Sequence, residues 1–171
     1  NQETNFREVA ERTMAKRGLR VQDIRAREVR RGRVSDQSLE LRRFEYETTV
    51  SQELFLSFES GDTLLGFCRL SLPTVEPITP ELVGAAMIRE VHVYGQSLTL
   101  GASAGEHAQH RGLGTALVEE AVRIARENGF ERLAVISAIG TRPYYRRLQF
   151  DDGELYMHRC LSAETELGPE G

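Results

Sequence analysis

Ile88-Arg89-Glu90-Val91-His92-Val93-Tyr94, followed beyond a polar loop by Gln109-His110-Arg111-Gly112-Leu113-Gly114, is the stretch on which the reading of this chain turns. The first run alternates as a half-buried strand does. The second carries two glycines at the head of an amphipathic pattern, in which Leu113, Ala116, Leu117, Ala121, Ile124 and Ala125 share one helical face until Gly129. The spacing predicts a helix over 112–128 that begins at a loop without side-chain bulk. Backbone N–H groups at a helix start lack intrahelical partners and together carry about half a positive elementary charge, so such a loop can cradle a phosphate. Gln109 and Arg111 add donors, and Arg111 adds a full charge.

Other glycine-loop readings fit less well. A dinucleotide fingerprint would put a third glycine where Leu117 stands and a strand directly before the first, whereas Gly105-Glu106-His107-Ala108 precede this loop. A Walker loop needs a lysine beside Ser or Thr, and Lys16 is the chain's only lysine. On the residues alone, a glycine pair that merely lets a helix start close to a sheet stays open.

Working outward, 171 residues suffice for one domain with a real core, and 40% hydrophobic against 28% charged residues is a globular balance rather than a disordered one. No apolar run approaches the roughly 20 residues that span a bilayer, and no leader pattern opens the chain, so the expectation is a cytoplasmic protein without a membrane partner. Cys68 and Cys160 lie in strand-like runs where free thiols are usual, and two unclustered thiols build no metal site. Between Lys16 and Arg43 ten basic residues stand against four acidic ones, a local charge of +6 in a chain of net charge −4. This segment is either a solvated face or, through Arg25, Arg27, Arg30, Arg31 and Arg33, a contact surface for RNA phosphates.

Asn5 and Glu8 cap a predicted short helix that stops at Gly18, and 20–34 reads as an edge strand or extended connector. Apolar positions in two phases over 39–50 predict a strand with a bulge. Strands over 53–58 and 64–72 flank Ser60-Gly61-Asp62, a hairpin signal; 73–80 is a proline-rich loop, 85–94 a strand and 96–100 a short extra one. Then come the long helix, a central strand over 132–137, a short helix over 141–148 with Pro143 in its first turn, a final strand over 150–161, and an acidic, mobile tail. The order predicts an α+β class: a mixed, mostly antiparallel sheet with a parallel pair at its centre, flanked by helices. The expected organisation is an N-terminal helix and basic connector (1–38), the main domain (39–161) and the tail (162–171).

The glycine loop resembles the pyrophosphate loop of the GCN5-related N-acetyltransferases (GNAT), which bind acetyl-coenzyme A. In order, the runs 89–95 (REVHVYG), 109–114 (QHRGLG), 119–126 (EEAVRIAR) and 134–146 (AVISAIGTRPYYR) resemble the acetyltransferase domain of the Elongator catalytic subunit family, over about residues 5–161. The resemblance implies a GNAT fold and acetyl-coenzyme A held by Gln109, His110, Arg111, Gly112, Leu113 and Gly114. It further implies a strand edge at Glu90, Val91, His92 and Val93 for the pantetheine amides, which suits strand addition. Tyr145, ahead of Tyr144, is expected beside the thioester. The implied substrate is the wobble uridine of tRNA. In that family the acetyltransferase domain follows a radical S-adenosylmethionine domain with an iron–sulfur cluster on three cysteines. No such cluster is in this sequence, so those cofactors belong to an absent domain, a partner if the chain is a fragment. Cysteines that the family often carries near 21–29 are missing too, and no metal role is carried over.

Glu90 and His92, two apart on a strand, share a face and either could accept a proton. His92 as a core histidine and His110 as an exposed loop residue are the alternatives, and Cys68 as a nucleophile has no partner histidine by spacing. Two further functions stay open: a free-standing N-acetyltransferase for a protein or small-molecule amine, and an RNA-binding or acyl-coenzyme A-sensing module whose catalysis has lapsed.

Overall fold

The computed structural model describes residues 6–19, 24–27, 39–94 and 104–162. Helix α1 (Phe6–Lys16) ends on Gly18 in the left-handed region (φ 70°), where a residue without Cβ is at no steric disadvantage. Its expected cap, Asn5, lies outside the described residues. The predicted extended connector is instead, where described, one helical turn, α2 (Ile24–Arg27). Arg27 there donates Nε–H to the Asp62 carbonyl (3.3 Å) and pairs with Glu59, whose side chain is only 5% exposed. A buried carboxylate demands a partner, and Arg27 supplies it.

Strands β1 (Glu40–Glu47), β2 (Ser51–Ser60), β3 (Thr63–Pro73) and β4 (Ala85–Val93) form an antiparallel meander, with Gly61 (φ 57°) in the β2–β3 turn. The bulge expected in the first strand is absent: β1 pairs with β2 in unbroken register. The two-phase pattern arises because β1 is an edge strand exposed along its whole length, so no core face enforces alternation. The register shifts lie at Phe58/Glu59 and Arg69/Leu70 instead.

Helix α3 (Ala104–Glu127) then crosses to β5 (Arg132–Val135), which pairs with β4 in parallel, as the pattern predicted. A short helix α4 (Arg142–Arg147) with proline in its first turn precedes two strands, β6 (Asp151–Asp152) and β7 (Met157–Cys160), rather than the single final strand expected. The seven strands lie in the order β1-β2-β3-β4-β5-β7-β6. The short extra strand expected at 96–100 and the tail beyond residue 162 lie outside the described residues.

One sheet face packs on α3. Leu54, Leu56, Cys68, Leu70, Ala86, Ile88, Leu133 and Val135 meet Leu117, Val118, Ala121, Ile124 and Ala125 in one buried cluster. Each fully buried leucine or isoleucine contributes about 1.5–3 kcal/mol, which is what holds α3 across the strands.

The turn that splits the last strand is held by Glu81. Its carboxylate accepts the N–H groups of Leu155 (3.0 Å) and Tyr156 (3.2 Å) and meets His158 Nε2 (3.0 Å). A Cβ on Gly153 would run into that carboxylate and lie 2.7 Å from the Tyr156 carbonyl oxygen. Gly153→Ala is therefore expected to destabilise the fold by about 1–3 kcal/mol, as overpacking does. Urea unfolding followed by circular dichroism checks it, and an unchanged midpoint would remove Glu81 as the pin of this turn.

Candidate active site at the splayed strands

The parallel pair is short. Its register runs from Ala85↔Arg132 to Ile88↔Val135 and stops, while β4 continues to Val93. Beyond Ile88, β4 bonds only to β3, through Glu90↔Arg69, Val91↔Cys68, His92↔Phe67 and Val93↔Gly66. Among the described residues no strand covers the other edge. Its amide and carbonyl groups line an opening into which an extended ligand with its own amides can hydrogen-bond as an added strand.

A bulge decides which side chains line the opening. Leu70 pairs with Ile88 and Arg69 with Glu90, leaving Arg89 as the extra residue. The insertion reverses the alternation, so Val91 and Val93 join Ala86 and Ile88 on the core side, where both valines pack against the buried cluster. Glu90 and His92 are turned to the opposite face, together as their spacing required. Arg69 faces Glu90 at 3.9 Å, and His92 stacks on Phe67 (ring centroids 6.0 Å apart) with Tyr94 at 4.4 Å. Arg69, Phe67 and Tyr94 went unnoticed in the sequence; the signal was there in β3, where Phe67 and Arg69 alternate against Cys68 and Leu70. The exposed ring of His92 excludes its reading as a core histidine.

On the α3 side the two tyrosines differ in burial. Tyr145 is 8% exposed, sits in the core edge-on to Tyr144 and Phe150, and burial pushes its pKa up to about 12. Tyr144 is the less buried of the two and packs at the rim of the core cluster. Its hydroxyl is buried without a hydrogen-bond partner, 2.9 Å from where a Cβ on Gly114 would sit, and Val93 borders the same point. Gly114 thus serves a close approach by Tyr144. Burial raises the Tyr144 pKa, opposed by the neighbouring Thr115 hydroxyl, whose approach falls outside hydrogen-bond geometry. Adjacent helical residues project about 100° apart, so only one of the pair can face the opening, and the requirement to fill the space beside Phe150 takes Tyr145 inward.

The glycine loop also differs from expectation. Helix α3 starts at Ala104, not Gly112, so Gln109–Gly114 lie within it and their amides fall among the intrahelical bonds. Its three glycines, Gly105, Gly112 and Gly114, at about 1 kcal/mol each do not stop a helix anchored by its packed C-terminal half. Gly112 is exposed, with nothing within 4 Å of a Cβ placed there. The side chains of Gln109, His110 and Arg111 lie outside what the structure describes. So do those of Arg25, Arg30, Arg31 and Arg33, whereas Arg27 is paired with Glu59. No three His, Cys, Asp or Glu side chains among the described residues are grouped to hold a metal ion, and no described helix is long and apolar enough to cross a membrane.

Residues 20–150 match the Acetyltransferase (GNAT) family model. The chain is 42% identical over 147 residues to the tRNA uridine(34) acetyltransferase of Dehalococcoides mccartyi, covering 81% of this chain and 32% of that protein. It is 39% identical over 165 residues to Elongator complex protein 3 of Drosophila melanogaster, covering 92% and 30% respectively. Among solved structures, the archaeal Methanocaldococcus infernus Elp3 aligns with a TM-score of 0.76 at 35% identity, over 90% of this chain and 38% of that one. The chain therefore spans about a third of the length of these relatives.

Both cysteines are free, and their environments oppose each other. Burial pushes the Cys68 thiol from 9.0 up to about 12, while a hydrogen bond with the Ser162 hydroxyl lowers the exposed Cys160 thiol. This rules Cys68 out as a nucleophile near neutrality. Because its folded pKa lies above the unfolded one, its stabilising contribution is complete below pH 9 and is lost as pH rises from 9 towards 12. An aromatic disulfide reagent at pH 8 is expected to modify Cys160 and to reach Cys68 only in denaturant. Cys68→Ala should flatten the loss of stability above pH 9 in urea titrations. Equal native reaction rates for the two thiols would contradict the assignment.

Proposed function

The chain belongs to the GNAT family of acetyltransferases, and from that premise we propose that it binds acetyl-coenzyme A in the opening between β4 and β5 and forms the acetyltransferase part of an enzyme that modifies the wobble uridine of tRNA. The names of the relatives support the tRNA reading. The observation that carries the coenzyme reading is the uncovered edge of β4 at Arg89–Val93 with the unpartnered Tyr144 hydroxyl beside it. Backbone groups of Glu90–Val93 hold the pantetheine amides, and Tyr144, kept protonated by burial, stands ready as a proton donor. Glu90 and His92 face away from the core and are the groups placed to take up a proton. When bound, acetyl-coenzyme A supplies an acetyl group activated as a thioester. The radical chemistry of the whole enzyme, with its iron–sulfur cluster and S-adenosylmethionine, is assigned to a partner domain outside this chain, because two cysteines cannot furnish three cluster ligands. Arg25, Arg30, Arg31 and Arg33 supply phosphate contacts to tRNA, an RNA found in the cytoplasm.

For Gln109–Gly114 to receive the diphosphate, the turns Ala104–Arg111 have to open so that α3 begins at Gly112. Terminal helical residues contribute roughly 0–0.3 kcal/mol each, so the opening costs little against the new hydrogen bonds to phosphate. Hydrogen exchange is expected to accelerate at 104–111 and slow at 112–114 on saturation with acetyl-coenzyme A; no change in either segment would exclude the opening. In calorimetry, Gly112→Asp is expected to lose coenzyme binding by at least tenfold with its melting temperature unchanged, since the position has room for a side chain. Tyr144→Phe should bind normally and hydrolyse the thioester at least tenfold more slowly in the presence of tRNA. Wild-type protein that fails to bind acetyl-coenzyme A would overturn the reading.

A further inference from the structure

The face of the sheet turned away from α3 carries an aromatic row that the coenzyme does not explain. Phe55 of β2 stacks on Phe67 of β3 at 5.0 Å and 23°, and Phe67 stacks on His92 of β4 at 6.0 Å and 19°. The row thus crosses three strands with its rings near parallel, and the strand after β4 is missing from it. β5 has left the sheet at Val135, opposite Ile88, so the next place in the row lies over the opening beside the exposed ring of His92. Two residues along the same face Arg69 meets Glu90 across the strands at 3.9 Å, and their side chains are 37% and 46% exposed. That contact is too long and too open to be a structural pin, and a surface pair of this kind contributes little to the fold.

We infer that this corner is the seat of an unstacked uracil, with His92, backed by Phe67, stacking on the base and the Arg69–Glu90 pair reading its imide edge. The inference rests on the tRNA reading above and deepens it by naming the residues that select the acceptor base. Every nucleobase has a flat face, so the ring row favours any base over none. The charged pair is what discriminates. Uracil offers an N3–H donor between two carbonyl acceptors: Glu90 accepts the N–H and the Arg69 guanidinium donates to a neighbouring carbonyl. Cytosine held in the same register sets its bare N3 lone pair against the Glu90 carboxylate; to offer that carboxylate its N4–H2 group instead, it has to slide across the ring of His92. A mismatched edge of this kind lowers affinity about tenfold. The seat adjoins the uncovered edge of β4, so a base held there lies next to the place assigned to the thioester.

The test uses the full chain and hairpin RNAs with a seven-nucleotide loop carrying uridine, cytidine or an abasic site at one central position, titrated by fluorescence anisotropy. The uridine hairpin is expected to bind about tenfold more tightly than the cytidine hairpin, and the abasic hairpin to bind more weakly still. Arg69→Gln should bring the uridine and cytidine affinities together while the abasic hairpin stays weaker, and His92→Ala should remove the advantage over the abasic hairpin. A 4-thiouridine at the central position should cross-link to the peptide containing His92 and Tyr94. Equal affinities for the three hairpins, a uridine preference undiminished in Arg69→Gln, or cross-links confined to the arginine-rich segment before β1 would each overturn the inference. Calorimetry of the wild-type protein with acetyl-coenzyme A separates the two failures: intact coenzyme binding with flat hairpin affinities defeats the base seat alone, whereas absent coenzyme binding defeats the function proposed above.

Discussion

Four residue pairs, Ala85↔Arg132 to Ile88↔Val135, make up the parallel contact in the described sheet, and the candidate site exists because the contact is that short. Had β5 continued beside β4, the amides and carbonyls of Arg89–Val93 would be spent on a ladder. Since β5 ends, they line an opening whose floor is β4 and whose flanks are α3 and α4. The rest of the molecule secures this divergence. The sheet is anchored through the buried leucines and isoleucines that α3 covers, so the two strands are held at one end by core packing and released at the other.

The bulge at Arg89 assigns the chemistry to the two faces. Unbulged, β4 would turn Glu90 and His92 into the core and Val91 and Val93 outward, a costly burial of charge. One extra residue inverts that arrangement. Arg89 itself reaches back to Glu53, a buried carboxylate that also accepts hydrogen bonds from Ser51 (2.8 Å) and Ser71 (2.6 Å). The bulge is therefore tied to the middle of the sheet, with Glu90 and His92 on the face turned away from the core.

Much of this was readable from residue order. The α+β class, the parallel pair at the centre of a mixed sheet, the β2–β3 hairpin and the shared face of Glu90 and His92 all follow from periods of two and 3.6, which are properties of the backbone. The GNAT fold came from motifs in order along the chain, and the family match agrees with it. The arginine-rich segment was read by composition alone, and composition could not tell that Arg27 answers the buried charge of Glu59. Reading Gly112 and Gly114 as a loop at the helix head misplaces its start, because a long amphipathic helix tolerates the three glycines of α3 when its far half is packed.

Local pattern, then, was enough to say which residues alternate, which form helices and which face of β4 carries charge, since these depend on neighbours two to four positions away. It could not say which of two adjacent tyrosines is buried in the core, nor that the row Phe55-Phe67-His92 crosses three strands. Those outcomes depend on volumes contributed by distant parts of the chain: Phe150 fills the space beside Tyr145, and Gly114 leaves space for Tyr144. Shape complementarity between elements exists only once they are packed together, and so it was decided by the tertiary structure.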